Sequence, residues 1–143
     1  MAESTKQQED RPVRFTLTHY RKEGTTHEDF MKWIVEVHLP KAIPVFQKHG
    51  VIGYALFDTP AAFNDPLREQ MAVVNPTWEV ADYDCIIEYT LPSIQTIGNI
   101  MQDPQWIEAV ADQKDWVQIP KALLSLGYHT QYVSEGKVLN LPQ

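Results

Sequence analysis

The sequence predicts an α+β fold of ferredoxin-like βαββαβ order, with a four-stranded antiparallel sheet that carries its helices on one face. Three features lead there. Residues 13–20 (VRFTLTHY) alternate as a strand does, and residues 26–49 space their apolar side chains as a helix does. The same strand–helix–strand order then returns after a proline-bounded insertion.

Each element has a local reason. In the first strand Val13, Phe15, Leu17 and His19 share one side, and Arg14, Thr16, Thr18 and Tyr20 the other. After a polar turn, Thr26 is placed to cap a helix whose first turn holds Glu28 and Asp29, both favourable against the helix dipole. Phe30, Trp33, Ile34, Val37 and His38 recur at helical spacing. Pro40 and Pro44 lack amide donors, so the helix is expected to end or kink near His38 and restart towards Phe46. His49-Gly50 closes it. Residues 51–58 read as the second strand, and 60–76 as an insertion, with a helical pattern at 66–73, that covers a pocket mouth. Residues 83–91 (YDCIIEYTL), rich in β-branched and aromatic side chains, form the third strand. Helical spacing over 93–101 breaks at Asp103-Pro104, a short helix covers 106–111, and 122–133 is the last strand, with Gly127 marking a bulge. One domain over 12–135 is expected, between a disordered tail at 1–11 and a loose tail at 136–143.

Composition narrows the function. A net charge of -7 opposes binding to nucleic acid or an anionic membrane surface, which needs clustered Lys and Arg. The single cysteine, Cys85, permits no internal disulfide and reads as an inert small hydrophobe. No apolar run approaches the ~20 residues of a membrane span, and the opening segment lacks the apolar stretch of a signal peptide. A cytoplasmic location is therefore expected. The five histidines are scattered without metal-ligand spacing, and no phosphate-binding glycine loop or nucleophile elbow occurs. Chemistry without metal or cofactor is the expectation. Helices on one face leave the other open; Tyr54, Leu56, Ile87, Tyr89 and Tyr128 are expected there, too apolar for water. A second copy of the chain is the simplest cover, giving a two-fold homodimer.

Three stretches resemble the EthD family of the dimeric α/β-barrel superfamily. They are residues 26–40, ending in His38-Leu39-Pro40 after Phe30 and Trp33; Tyr83 to Glu88 followed by Pro92-Ser93; and Asp103-Pro104-Gln105-Trp106 followed by the acidic 112–115. Their order and spacing, spanning most of 13–133, carry the likeness. More narrowly, TLTHYRK, KWIVEVHLPKAIPVF and DYDCIIEYTLP are similar to a fungal branch found in aromatic polyketide pathways. The resemblance implies a dimeric α/β barrel and a cofactor-independent lyase that decarboxylates a polycyclic aromatic polyketide acid of the anthrone or anthraquinone type. A cyclase or dehydratase would use the same pocket, and a non-catalytic binding or stress-type barrel is the alternative of another class. Plant polyketide cyclases of this superfamily carry two histidines where Cys85 and Trp106 stand here, so their mechanism is not implied.

The candidate residues divide between roles. His38 matches the family's HxP position; it is either bonded to a carbonyl freed by Pro40 or an acid poised near neutral pH. His19 and Tyr20 lie on opposite faces, so only one enters the pocket, and His129 and Tyr128 pose the same choice. Asp84 shares a face with Glu88: it is part of a solvated edge, or it orients a histidine and raises its pKa. Arg14 is an ordinary edge arginine or a clamp for a substrate carboxylate. Trp106, Tyr54 and Tyr89 are core, and in a barrel the core is the pocket, whose flat walls suit fused rings. His27 is expected in solvent, and His49 at a helix C-terminus. In the expected mechanism His38 or His19 delivers a proton to the ring carbon bearing the carboxylate, Tyr20 and Asp84 orient the donor, and Trp106 and Tyr54 hold the rings.

Overall fold

Strands β1 (Val13–His19), β2 (Gly53–Asp58), β3 (Cys85–Leu91) and β4 (Leu123–Gly127) form one antiparallel sheet in the order β2-β3-β1-β4. This is the ferredoxin-like order that the sequence predicts. The computed structural model describes residues 11–142; all but Arg11 of the expected tail at 1–11 lies outside the described residues. Arg11 belongs to the described part, with its guanidinium 4.5 Å over the Tyr128 ring and bonded to Thr130 Oγ1 at 3.2 Å.

The first helical layer runs without a break through α1 (His27–Trp33), one wider π turn (Ile34–His38) and α2 (Leu39–Lys48). Thr26 caps it, its Oγ1 accepting from the Asp29 amide at 3.1 Å. The helix does not end near His38; the irregularity expected there takes the form of the π turn. In a regular α-helix the ring of Pro40 would meet the carbonyl four residues back. The π turn is the local widening that carries the chain past it, with the Leu39 amide donating to the Ile34 carbonyl five residues back. The buried face of this layer, led by Phe30, Trp33, Val45 and Phe46, packs on Val13, Phe15, Ile87, Tyr89 and Leu91 of the sheet.

Register decides what faces this core. Phe15 lies opposite Tyr89 and Leu17 opposite Ile87, while across the other edge of β3 Tyr54 meets Tyr89 and Leu56 meets Ile87. Tyr54, Leu56, Ile87 and Tyr89 therefore lie on the helix-covered face, correcting their expected place on the open one. A period of two leaves no alternative once Phe15 and Leu17 face the helices. The open face instead carries Arg14, Thr16, Thr18, Glu88 and Thr90 beside Phe57, Ile86 and Leu123.

The insertion forms a short turn (Ala61–Phe63) and α3 (Asn64–Val74), neither with a buried residue. Helices α4 (Gln95–Met101) and α5 (Pro104–Ala109) complete the helical layer. Asp103 starts α5: its Oδ1 accepts from the Gln105 amide at 2.9 Å, and its Oδ2 pairs with Lys48 Nζ at 2.5 Å and His49 Nε2 at 2.8 Å. His49 thus has a carboxylate partner besides its helix end. The expected last strand over 122–133 is shorter. It stops at Gly127, where no bulge forms, and a separate hairpin follows: β5 (Val133–Ser134) and β6 (Lys137–Val138). Glu135 and Gly136 between them both have positive φ, 52° and 78°, as a type I′ turn requires. The expected boundary at 135 therefore falls inside a turn.

Candidate functional site

Between the helical layer and the sheet lies a cavity of about 210 Å³. The sheet contributes Leu17, His19, Tyr54, Ile87 and Tyr89. The first helical layer contributes Trp33, Ile34 and His38. Met101, Trp106, Val110, Gln113 and Val117 close the remaining side. Apart from the two histidines, no lining side chain can carry charge near neutral pH.

Local structure aims both imidazoles inward. His19 occupies the last odd position of β1, and its carbonyl accepts the Asp84 amide at 2.9 Å, which fixes the strand end. His38 ends the π turn, four residues after buried Ile34 and on the same helix side. Its ring stacks on Trp33 at 5.4 Å and meets the edge of Trp106 at 6.0 Å. Trp33 is itself held, stacking on Trp116 at 5.6 Å and donating from Nε1 to Asp112 at 3.0 Å.

The electrostatics of the pair follow from burial. Nδ1 of His19 and Nδ1 of His38 are both buried without a hydrogen-bond partner. Burial disfavours the imidazolium of His19, and repulsion from His38 adds to it, pushing its pKa down to about 4. Burial likewise brings His38 down to about 4; Asp112 acts in the opposite direction without overcoming it. Asp112 is held by Trp33 and by Lys41 at 3.3 Å. Both histidines are thus neutral at physiological pH, which corrects the expectation of a proton donor poised near neutrality. Burial also pushes the hydroxyls of Tyr54 and Tyr89 far above the usual tyrosine range, so both stay protonated.

The cavity gathers His19, His38, Tyr54, Tyr89 and Trp106 from among the expected site residues. Four others lie elsewhere. Tyr20 turns its hydroxyl outward to Asp82 at 2.8 Å, because its strand position is opposite in face to His19. Arg14 is on the open face, paired with Glu88 at 3.3 Å and reaching Thr90. His129 is exposed beyond the end of β4. Asp84 is buried, but it accepts from the Arg21 amide at 2.8 Å and the Arg21 guanidinium at 2.7 Å. The histidine it meets is His27, at 2.8 Å, whose other nitrogen lies 2.7 Å from Asp58. His27 is therefore tied between two carboxylates and not free in solvent. Trp33 and Gln113 also line the cavity and were not among the expected site residues; the helical spacing from Trp33 to His38 was the available signal for the former. Among the described residues no group of three or more His, Cys, Asp or Glu side chains could hold a metal ion, and no helix is long and apolar enough to cross a membrane.

Comparison with known proteins bears on the fold and the family. The EthD domain family matches residues 22–119, a stretch that includes His27, His38, Asp84 and Trp106. Dehydratase iacD of Pestalotiopsis fici is 32% identical, over 92% of this chain and 95% of that protein. Decarboxylase nsrE of Aspergillus novofumigatus is 25% identical, over 98% of this chain and 92% of that protein. The fold resembles the crystal structure of an EthD family protein from Bacillus halodurans, with a TM-score of 0.55 at 12% identity, over 83% of this chain and 99% of that one. Relatives named for two different reactions are similar in sequence to the chain, and the family match spans the helices α1 to α5 and two strands of the sheet, β2 and β3. The chain belongs to the EthD domain family.

Proposed function

We propose that the chain is an enzyme that removes water from a polycyclic aromatic polyketide intermediate, with His19 and His38 transferring the proton. The carrying observation is the pair of buried, uncharged imidazoles, each with an unpartnered Nδ1, on one aromatic-walled cavity. In such an elimination one imidazole lone pair takes the proton alpha to a ketone. The C–H electrons form the new double bond, the carbon–oxygen bond breaks, and the hydroxyl departs as water with the proton that the imidazole has just taken from carbon. No electrons leave the substrate, and ring aromatisation drives the step. A developing enolate supplies the negative charge the cavity lacks, which raises the imidazole pKa as the proton arrives. The apolar, aromatic walls hold the rings and exclude water. The 32% identity to a protein named a dehydratase supports the same reading.

Decarboxylation is the second reading, favoured by the relative named a decarboxylase and by a lining without fixed charge. A carboxylate is destabilised in such surroundings relative to neutral products. It stands second because Arg14, the one candidate clamp, is on the other face of the sheet. Mass spectrometry after incubation with a β-hydroxy-ketone polyketide and with the matching ring carboxylic acid separates the two. Water loss from the first supports dehydration; carbon dioxide loss from the second with the first unchanged overturns it in favour of decarboxylation.

The reading includes a homodimer. β4 leaves Leu123, Leu124 and Leu126 exposed at 68%, 61% and 45%, and Val133, Val138 and Leu141 of the following segment are exposed too. An apolar edge of this kind is normally covered, and a second copy of the chain covers it on a two-fold axis.

A further inference from the structure

A second, smaller cavity of about 50 Å³ adjoins the histidine cavity and shares four of its walls, Leu17, Tyr89, Met101 and Trp106. Beyond that junction it is bounded by Phe15, Phe46, Leu91, Ile97 and Ile100, all hydrocarbon. The volume exceeds the roughly 10–15 Å³ that one water needs, but a buried water also needs two to four polar partners. Only Tyr89 and Trp106 carry a polar side-chain atom here. The space therefore suits hydrocarbon and not water.

Its position gives the shape of what fills it. His19, Leu17 and Phe15 follow one another along the inner face of β1, so Phe15 sits roughly 13 Å from His19 at the ordinary strand rise. A ligand reacting at the histidines reaches this chamber only if it is elongated, as two or three linearly fused rings are. Met101, unbranched and half in solvent, stands at the junction, where its flexibility lets such a ligand pass.

We propose that this chamber is a specificity pocket, taking a methyl or short alkyl substituent at the end of a fused-ring substrate remote from the reacting carbon. The proposal rests on the histidine cavity being the reaction site. It selects between polyketides by the alkyl group at their far end and leaves the chemistry to His19 and His38.

Isothermal titration with 2-naphthol and 6-ethyl-2-naphthol tests it, because the ethyl group projects along the long axis away from the hydroxyl. Two added carbons moved from water into the chamber make the ethyl compound bind about tenfold more tightly. In Ile97→Phe the new ring occupies the chamber, so the preference for the ethyl compound disappears. A series of 6-methyl, 6-ethyl and 6-butyl compounds on the natural protein needs no variant: affinity rises and then falls once the chamber is full. Equal affinity for the two compounds, a preference that survives Ile97→Phe, or an affinity that keeps rising through butyl overturns the proposal. Failure of either naphthol to bind overturns it together with the site. An alkyl preference in a protein without turnover keeps the chamber and removes the reaction; turnover without the preference does the reverse.

Discussion

His19 and His38 are far apart in sequence, and each keeps a buried ring nitrogen without a partner. An orphaned buried donor or acceptor costs about 1–3 kcal/mol, a cost that a stability argument alone does not explain. In the proposed reaction the substrate meets the part of each ring that lines the cavity. The charge state is testable directly. Proton NMR titration of the free protein should place both imidazoles near pH 4, well below the ordinary histidine value. Midpoints near 6.5 would contradict their burial. The same shift has a sign for stability: between about pH 6.5 and 4 the unfolded chain takes up these protons and the folded chain does not. The fold therefore loses up to roughly 3 kcal/mol per histidine as the pH falls through that window. Alternation placed His19 and Tyr20 on opposite faces without deciding which turns inward, and helical spacing placed His38 on the apolar side of its helix. Their neutrality was not legible, because it depends on what closes over them in three dimensions.

At the scale of elements, two devices hold the site. The π turn re-phases the first helical layer so that Ile34 and His38 face the cavity while Pro40 and Pro44 remain in a continuous helix. Read locally, those prolines look like a break; packing of Val45 and Phe46 in the core keeps the helix intact beyond them. The second device is the His27 clamp, which joins the start of α1 to the ends of β2 and β3 through Asp58 and Asp84. Burial works against charge on His27, but the hydrogen bonds to Asp84 and Asp58 outweigh it and raise its pKa. Its contribution is therefore complete below the ordinary histidine value and lost as the pH rises through the raised one. Urea melts of His27→Gln should show a deficit against the natural chain at pH 6 that shrinks by pH 9; a deficit independent of pH would contradict the charged clamp. Asp84→Ala leaves Arg21 and His27 without their buried acceptor and should cost about 1–3 kcal/mol in the same melts, because Arg21 reaches water and His27 keeps Asp58. Sequence left Asp84 as either part of a solvated edge or a carboxylate that orients a histidine; choosing between them, and naming His27, required the sheet register that brings Asp58 beside Cys85.

For the whole molecule, order and class of the elements were readable because patterning alone sets strand and helix periods. Which sheet face is apolar was misread, since alternation in one strand does not fix its phase relative to the next. The correction moves Tyr54 and Tyr89 into the cavity and leaves the exposed leucines of β4 as the edge proposed for a second copy. Sedimentation at micromolar concentration should give a dimer, and Leu124→Glu with Leu126→Glu should give a folded monomer; a monomeric natural chain would contradict that assembly. Turnover in the proposed reaction depends on the two histidines acting on substrate. The direct measurement is kcat for water loss from a β-hydroxy-ketone polyketide by the natural protein and by His19→Ala and His38→Ala, with circular dichroism confirming the fold. The prediction is turnover by the natural protein and a loss of about 10²–10⁴-fold in each variant. Undiminished kcat in both folded variants would contradict it.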